Sequence, residues 1–286
     1  MKLPLLKVLL TFCIFSQYAF AQDLVTTPEK YTAHNKGKFY FYWGGNRESF
    51  SNSDINFTGD GYNFTLYDVE AHDKPKGWHI DYVNPSRLTI PQTNSRIGYY
   101  ISDHLNISIG VDHMKYVMTQ NVSSKANGYI DLPQSDAGSV YNGIYNNVPV
   151  MLTEDFLTFE HTDGLNYINA GISNVDDFSK YLGITDTDIF QVNLTEGLSG
   201  GVLYPKTNAK VLGKERHDDY HISGYGISLD AGLNLTFFKY FFVQGDLKGG
   251  YINMPDIRTT AMGADRASQH FSYLQRIIVF GALFRL

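Results

Sequence analysis

Four short stretches carry residue types that could do chemistry. His221-Ile222-Ser223 places an imidazole two positions before a hydroxyl, and His270-Phe271-Ser272 repeats the pair. A base within reach of a hydroxyl is the beginning of a nucleophilic hydrolase, and it needs an acid to orient the imidazole. Glu215-Arg216-His217-Asp218-Asp219-Tyr220-His221 sets carboxylates beside imidazoles, so Glu215, His217, Asp219 and His221 are candidate ligands for Zn²⁺ or another divalent ion. A solvated charged loop has the same composition. Asp54-Ile55-Asn56-Phe57-Thr58-Gly59-Asp60 begins like a calcium loop, but the bidentate acid expected later is replaced by Thr65, which leaves a hairpin turn as the reading. Glu160-His161-Thr162-Asp163-Gly164 is a polar cluster or, more simply, an Asp-Gly turn. No Gly-rich phosphate loop or zinc-binding helix motif is present, so no cofactor is expected and no metal site is assigned.

The elements that would position these residues are set by the pattern around them. Lys2 and Lys7, the apolar run Val8 to Phe15 and Ala19-Phe20-Ala21 read as an export signal over residues 1–21. The apolar run is too short for a membrane helix. The single cysteine, Cys13, falls inside that signal, so the mature chain has no disulfide and no thiol nucleophile. The formal net charge of −6 becomes two units more negative once Lys2 and Lys7 are removed. With no basic stripe, nucleic acid is not an expected partner.

Aromatic residues make up 15% of the chain, yet mean hydropathy is −0.23. Hydrophobicity is instead dealt out in alternation. Phe39-Tyr40-Phe41-Tyr42-Trp43, Ile107 to Asp112, Tyr225 to Leu235 and Phe241 to Gly249 each put every second residue on an apolar face. The alternating segments are 38–46, 92–101, 105–119, 165–177, 188–204, 221–236, 240–253 and 269–286. Their connections are in turn long, tight, long, short, medium, tight and medium. That asymmetry and even count predict an all-β, antiparallel up-and-down transmembrane β-barrel of eight strands with long extracellular loops. A hairpin around Gly59-Asp60-Gly61 makes ten strands if it joins the wall. Residues 22–36 form a short periplasmic segment and 37–286 the barrel domain.

In such a barrel Arg96, Asp112, Asp230, Asp246 and Lys248 face inward, where isolated charges are costly and pairing is expected. Glu196 and Arg276 fall on the apolar face. Arg276 can reach the outer headgroups, and Glu196 calls for a bulge near Gly197 or a slipped register.

Several stretches resemble known families. The final strand, Phe280-Gly281-Ala282-Leu283-Phe284-Arg285-Leu286, resembles the assembly signal of outer-membrane barrels, with Leu in place of the usual terminal Phe. The whole pattern looks like small barrels of the OmpW/OmpX kind. Phe39 to Trp43, Asp112-His113-Met114-Lys115-Tyr116 and Gly249 to Pro255 resemble a family of uncharacterised outer-membrane barrels. The resemblance implies location and fold, not activity. Outer-membrane lipid and lipopolysaccharide are the expected surroundings, and the two large outer loops are expected to contact an envelope protein partner. The His-x-Ser pairs resemble the catalytic arrangement of outer-membrane lipid A deacylases, which place a Glu twelve residues after the serine. Here those positions are Leu235 and Phe284. Three functions stay open: a non-enzymatic barrel acting through its surface loops, a narrow conduit for a small solute, and a lipid A-modifying hydrolase.

Overall fold

A computed structural model of the protein describes residues 34–77, 92–214 and 220–286. The export signal and three of the four candidate metal ligands, Glu215, His217 and Asp219, lie outside the described residues. Among the described residues there are sixteen strands, and eight of them close a ring. In ring order these are β1 (Phe39–Phe50), β5 (Thr93–Tyr100), β6 (Leu105–Met114), β11 (Leu165–Asp177), β12 (Phe190–Leu203), β14 (Gly224–Phe237), β15 (Phe241–Arg258) and β16 (Arg266–Phe284), and β16 pairs back to β1. All contacts are antiparallel, and closure leaves no bare edge in the ring.

The ladder fixes the tilt. Starting at Phe39, directly opposed residues run Tyr99, Ile107, Ile172, Leu198, Leu229, Gly249 and Leu274, and return to β1 at Ser49. One circuit therefore climbs ten residues of β1, from 39 to 49. A stagger of this size requires strands inclined by roughly 40°.

Alternation decides which face each side chain takes. Ile97, Ile107, Ile109, Ile172, Leu198, Ile227, Leu247, Ile278 and Phe280 are exposed on the outside. A water-soluble barrel would not leave so continuous an apolar belt bare. Aromatic residues bound it. Phe39, Tyr99 and Phe284 cluster at the end where the tight turns and the ring's two chain ends lie, and Tyr204, Tyr225 and Tyr251 stand at the other.

The expected bulge at Glu196 is absent. β12 keeps an unbroken register with both neighbours, Glu196 standing opposite Asn174 and Ala231. Glu196 therefore shares the outer face with Leu194 and Leu198. Gly197 serves a different purpose: a Cβ there would lie 2.5 Å from a carboxylate oxygen of Asp230, so the glycine makes room for that side chain.

The two large outer connections are structured, where the sequence reading expects loops. β2 (Ser53–Gly59) and β3 (Tyr62–Val69) form the expected hairpin, turning at Gly61 with φ 79°. The hairpin does not enter the ring. β2 takes over the edge of β16 above the point where β1 ends, and the sheet continues through β3, β8 (Ser123–Ile130) and β9 (Gly143–Met151). A second sheet runs β13 (Asn208–Val211), β10 (Leu157–Glu160), β7 (Val117–Met118) and β4 (Ala71–His72). Between the sheets lies a buried cluster that includes Ile55, Phe57, Phe64, Phe156, Phe159, Tyr116 and Phe271. Residues that alternate as barrel wall lower down alternate here as the core of an outer cap.

Candidate functional site: a sealed lumen beneath an outer cap

Inward-facing side chains from all around the ring meet in the lumen. Lys248 on β15 places Nζ 2.5 Å from Asp112 Oδ2 on β6, and both side chains are at most 3% exposed. Asp112 also accepts from Asn94 Nδ2 at 2.7 Å and Asn169 Nδ2 at 3.3 Å. Asn94 Nδ2 reaches Gln275 Oε1 at 3.3 Å, and Gln275 Nε2 donates to Glu48 Oε1 at 2.9 Å. The result is a belt of charge and amide that fills the lumen at mid-height. A buried ion pair is held more firmly when its spare polar atoms also have partners: Asn94 and Asn169 serve the Asp112 carboxylate, and Lys248 Nζ lies 5.4 Å from the centre of the Tyr167 ring.

The other inward charges are held differently from the expectation that they pair with one another. Arg96 donates to Tyr42 Oη at 3.0 Å and Ser108 Oγ at 2.9 Å, and also to Asn169 Oδ1. Asp246 accepts from Gln244 Nε2 at 3.0 Å and from Thr195 Oγ1 at 3.3 Å. Asp230 faces the same space. Neutral donors and acceptors thus replace opposite charge as the partners of Arg96 and Asp246. Arg96, Asp230, Asp246 and Lys248 line a cavity of about 40 Å³ towards the turn end, together with Tyr40, Tyr42 and Gln191. That space admits water and nothing larger.

Glu48 is a buried lumen carboxyl just beyond the predicted segment 38–46: β1 runs on to Phe50, and the even-numbered inward phase runs on with it.

Above the belt the lumen ends in aromatic packing. Tyr116 stacks on Phe271 with ring centroids 5.0 Å apart, and Phe50 meets both edge-on at 5.1 and 5.6 Å. Tyr167 and Tyr273 are buried beside them. His161 is fully buried in the cap and its Nδ1 contacts Thr207 Oγ1 at 2.9 Å. Burial pulls this imidazole down to about 3, so it is neutral and serves as core.

The hydrolase candidates are only partly assembled. The structure supplies the acid absent from the local sequence: Asp256 Oδ2 lies 2.9 Å from His221 Nε2. Burial opposes ionisation of Asp256, but the hydrogen bond to His221 and the adjacent Arg266 hold its carboxyl below the usual range. Ser223, however, is turned away. Its buried Oγ points to the His221 carbonyl at 3.4 Å, not to the imidazole. At the second pair, His270 packs against Tyr251 on the outside of the wall. Neither site presents the base-to-hydroxyl contact that nucleophilic attack requires.

The remaining motifs serve the fold. Asp54 Oδ1 accepts from the Asp68 amide at 2.9 Å, and Asn56 donates to Asn63 and Thr65, so these groups tie the hairpin together. Glu160 accepts from Thr162 Oγ1 at 2.9 Å. Among the described residues no group of three or more His, Cys, Asp or Glu side chains could hold a metal ion.

A closed antiparallel ring with an apolar outside, aromatic borders and a polar inside is a membrane-spanning β-barrel, the construction of Gram-negative outer membranes. The protein is an outer-membrane barrel of eight strands with a folded outer cap. No protein-family model matches the sequence, and no curated protein matches it. Among solved structures it is similar to the outer membrane protein OprG from Pseudomonas aeruginosa, at 9% identity, a TM-score of 0.41, and coverage of 89% of this chain and 99% of that one. Neisserial surface protein A is similar at 10% identity and a TM-score of 0.29, with 84% and 96% covered. Ail, the attachment invasion locus protein of Yersinia pestis, is similar at 7% identity and a TM-score of 0.28, with 87% and 99% covered. These superpositions are loose. The class rests on the ring's own closure and belt.

Proposed function

We propose that this protein is a non-enzymatic outer-membrane barrel that acts through its cap, using the extended sheet as a contact surface for an envelope or surface partner. One observation carries the reading. The sheet β16–β2–β3–β8–β9 leaves the membrane wall and presents Tyr67, Tyr129, Ile144 and Met151 to solvent, with Ile144 87% exposed. Exposed apolar groups on a rigid support mark contact surfaces. The free edge of β9 is itself guarded against indiscriminate strand addition. Asn147 has φ 57° beside a register shift, and Pro149 offers no amide. Contact therefore uses the side-chain face.

Support against the conduit reading comes from the aromatic seal and the Lys248–Asp112 pair. The test has two arms. In a planar bilayer the purified protein gives no conductance steps, and a photo-crosslinking residue at Ile144 on living cells yields a discrete adduct absent when the same residue replaces Asp155. Single-channel steps, or equal labelling at both positions, would reject the proposal.

A further inference from the structure

We infer that the turn end of the lumen holds a small monovalent cation between Asp230, Asp246 and the side-chain carbonyl of Asn193, as the counter-ion of the surplus carboxylate charge there. This inference is independent of what the cap contacts.

The three residues stand in successive inward-facing rows across β12, β14 and β15. Asp230 lies between Gly197 and Lys248, the next row is Thr195, Gly232 and Asp246, and the third is Asn193, Asn234 and Gln244. Both carboxylates lean the same way, each over a glycine of the neighbouring strand. A Cβ at Gly197 would lie 2.5 Å from Asp230 Oδ2, and one at Gly232 would collide with Asp246 Oδ1. Rows two residues apart on a strand are separated by about 6.6 Å, a gap that one ion spans directly or through a water. Asp230, Asp246 and Asn193 all line the cavity of about 40 Å³.

Neither cation lining this cavity is bonded to these carboxylates. Lys248 is directly opposite Asp230 on the ladder, yet its Nζ goes to Asp112. Arg96 gives its donors to Tyr42, Ser108 and Asn169. Asp246 accepts from the neutral Gln244 and Thr195, and among the described residues Asp230 makes no hydrogen bond or ion pair. Around the cavity Arg96 and Lys248 thus face Asp112, Asp230 and Asp246, which leaves one negative charge over. An uncompensated charge is costly in so narrow a space. Asn193 gives an independent sign of a missing partner. Its Nδ2 donates to Asn234 Oδ1 at 3.2 Å and Thr236 Oγ1 at 3.4 Å, which turns the amide nitrogen to β14 and leaves Oδ1 on the side of the cavity. That oxygen has no hydrogen-bond partner, and the residue is 3% exposed. A cation serves both the surplus charge and the orphaned carbonyl. An all-oxygen set selects a hard ion. A water-sized space excludes a fully hydrated or organic cation, and a surplus of one charge matches a monovalent ion such as sodium.

Heat unfolding of the full barrel in a zwitterionic detergent tests the site, at about pH 8 so that carboxylates are ionised. Sodium chloride is compared with N-methylglucamine chloride at equal ionic strength. The unfolding midpoint should climb with sodium concentration, and N-methylglucamine, too large for the cavity, should leave it unchanged. Line broadening in sodium NMR should report the bound ion directly. Asp230→Asn or Asn193→Leu should lower the apparent sodium affinity about tenfold or more. Equal midpoints in the two salts for the unaltered protein overturn the inference, a comparison that requires no variant to fold; a proton on one carboxyl would then balance the charge. It is equally overturned if Asp230→Asn, shown to be folded by its heat-dependent gel mobility, keeps the sodium response, or if calcium raises the midpoint where sodium does not.

Discussion

Lys248 and Asp112 join opposite walls of the barrel. β15 and β6 are separated by three strands whichever way the ring is followed, so the 2.5 Å contact between Nζ and Oδ2 is a strut across the full lumen. It does what the aromatic packing does higher up, by other means: it fills the lumen and ties two opposite walls together. The strut and the cap make a barrel whose interior is committed to structure, and they leave the outside as the surface available for recognition.

Breaking the strut on one side should cost more than removing it. Lys248→Met leaves Asp112 buried and without its cation, a loss of about 3–5 kcal/mol. Adding Asp112→Leu removes the stranded charge and should recover most of that loss, because a buried ion pair replaced whole by apolar groups is often near neutral. Equilibrium unfolding by guanidinium in detergent, run as a double-mutant cycle, measures the coupling. Additive single and double effects would mean that the contact is not a strut.

The cap should loosen in acid through His161. Its folded-state value of about 3 lies below the ordinary 6.5, so the unfolded chain binds the extra proton first. Its contribution is therefore complete above about pH 6.5 and is lost progressively as the pH falls towards 3, on the order of several kcal/mol at the acid limit. Hydrogen exchange of the β10 amides across that range should show the loss of protection, and His161→Phe should flatten it. An unchanged acid profile in His161→Phe would show that another group controls the cap.

Much of the membrane wall was readable from residue types because lipid on one side and a narrow lumen on the other impose a strict period of two. Tyr225 to Leu235 obeys it without interruption, and β14 runs Gly224–Phe237. The inward orientation of Arg96, Asp112, Asp246 and Lys248 follows from the same period. Their partners do not, since Asn94, Asn169 and Gln275 reach Asp112 and Arg96, or each other, from other strands, through contacts that only closure creates. The cap was hidden for a related reason. Ile55, Phe57, Phe64 and Leu66 alternate just as lipid-facing residues do, and nothing local says that their apolar side meets Phe156 and Phe159. The acid for His221 arrives from Asp256, 35 residues on, across a strand pair.

Ser223→Ala should leave the mass spectrum of cellular lipid A unchanged, because the hydroxyl addresses a carbonyl and not the imidazole. Asp256→Asn should shift stability by about 1 kcal/mol or less, as expected for a partly exposed ion pair. The same lipid extract, compared between cells with wild-type protein, with Ser223→Ala and without the protein, decides the matter. Acyl loss that depends on Ser223 would restore the hydrolase.

Inside the wall, three glycines each lie directly opposite an aromatic ring: Gly98 to Tyr40, Gly250 to Tyr273 and Gly281 to Phe242. A Cβ at Gly250 would come within 2.5 Å of the Tyr273 ring, and one at Gly98 within 2.3 Å of the Tyr40 ring. The missing side chain lets a ring lie flat along the neighbouring strand, filling the lumen without pushing its walls apart. Gly250→Val should therefore displace Tyr273, whose ring is packed into the cap core, and cost about 1–3 kcal/mol as an overpacking change. If the space taken by that ring is the cause, Tyr273→Ala in the same chain should relieve part of the strain, giving a double variant more stable than the two single losses predict. Guanidinium unfolding of the four proteins in one detergent supplies the comparison. Simple additivity would instead place the cost of Gly250→Val in the backbone of β15.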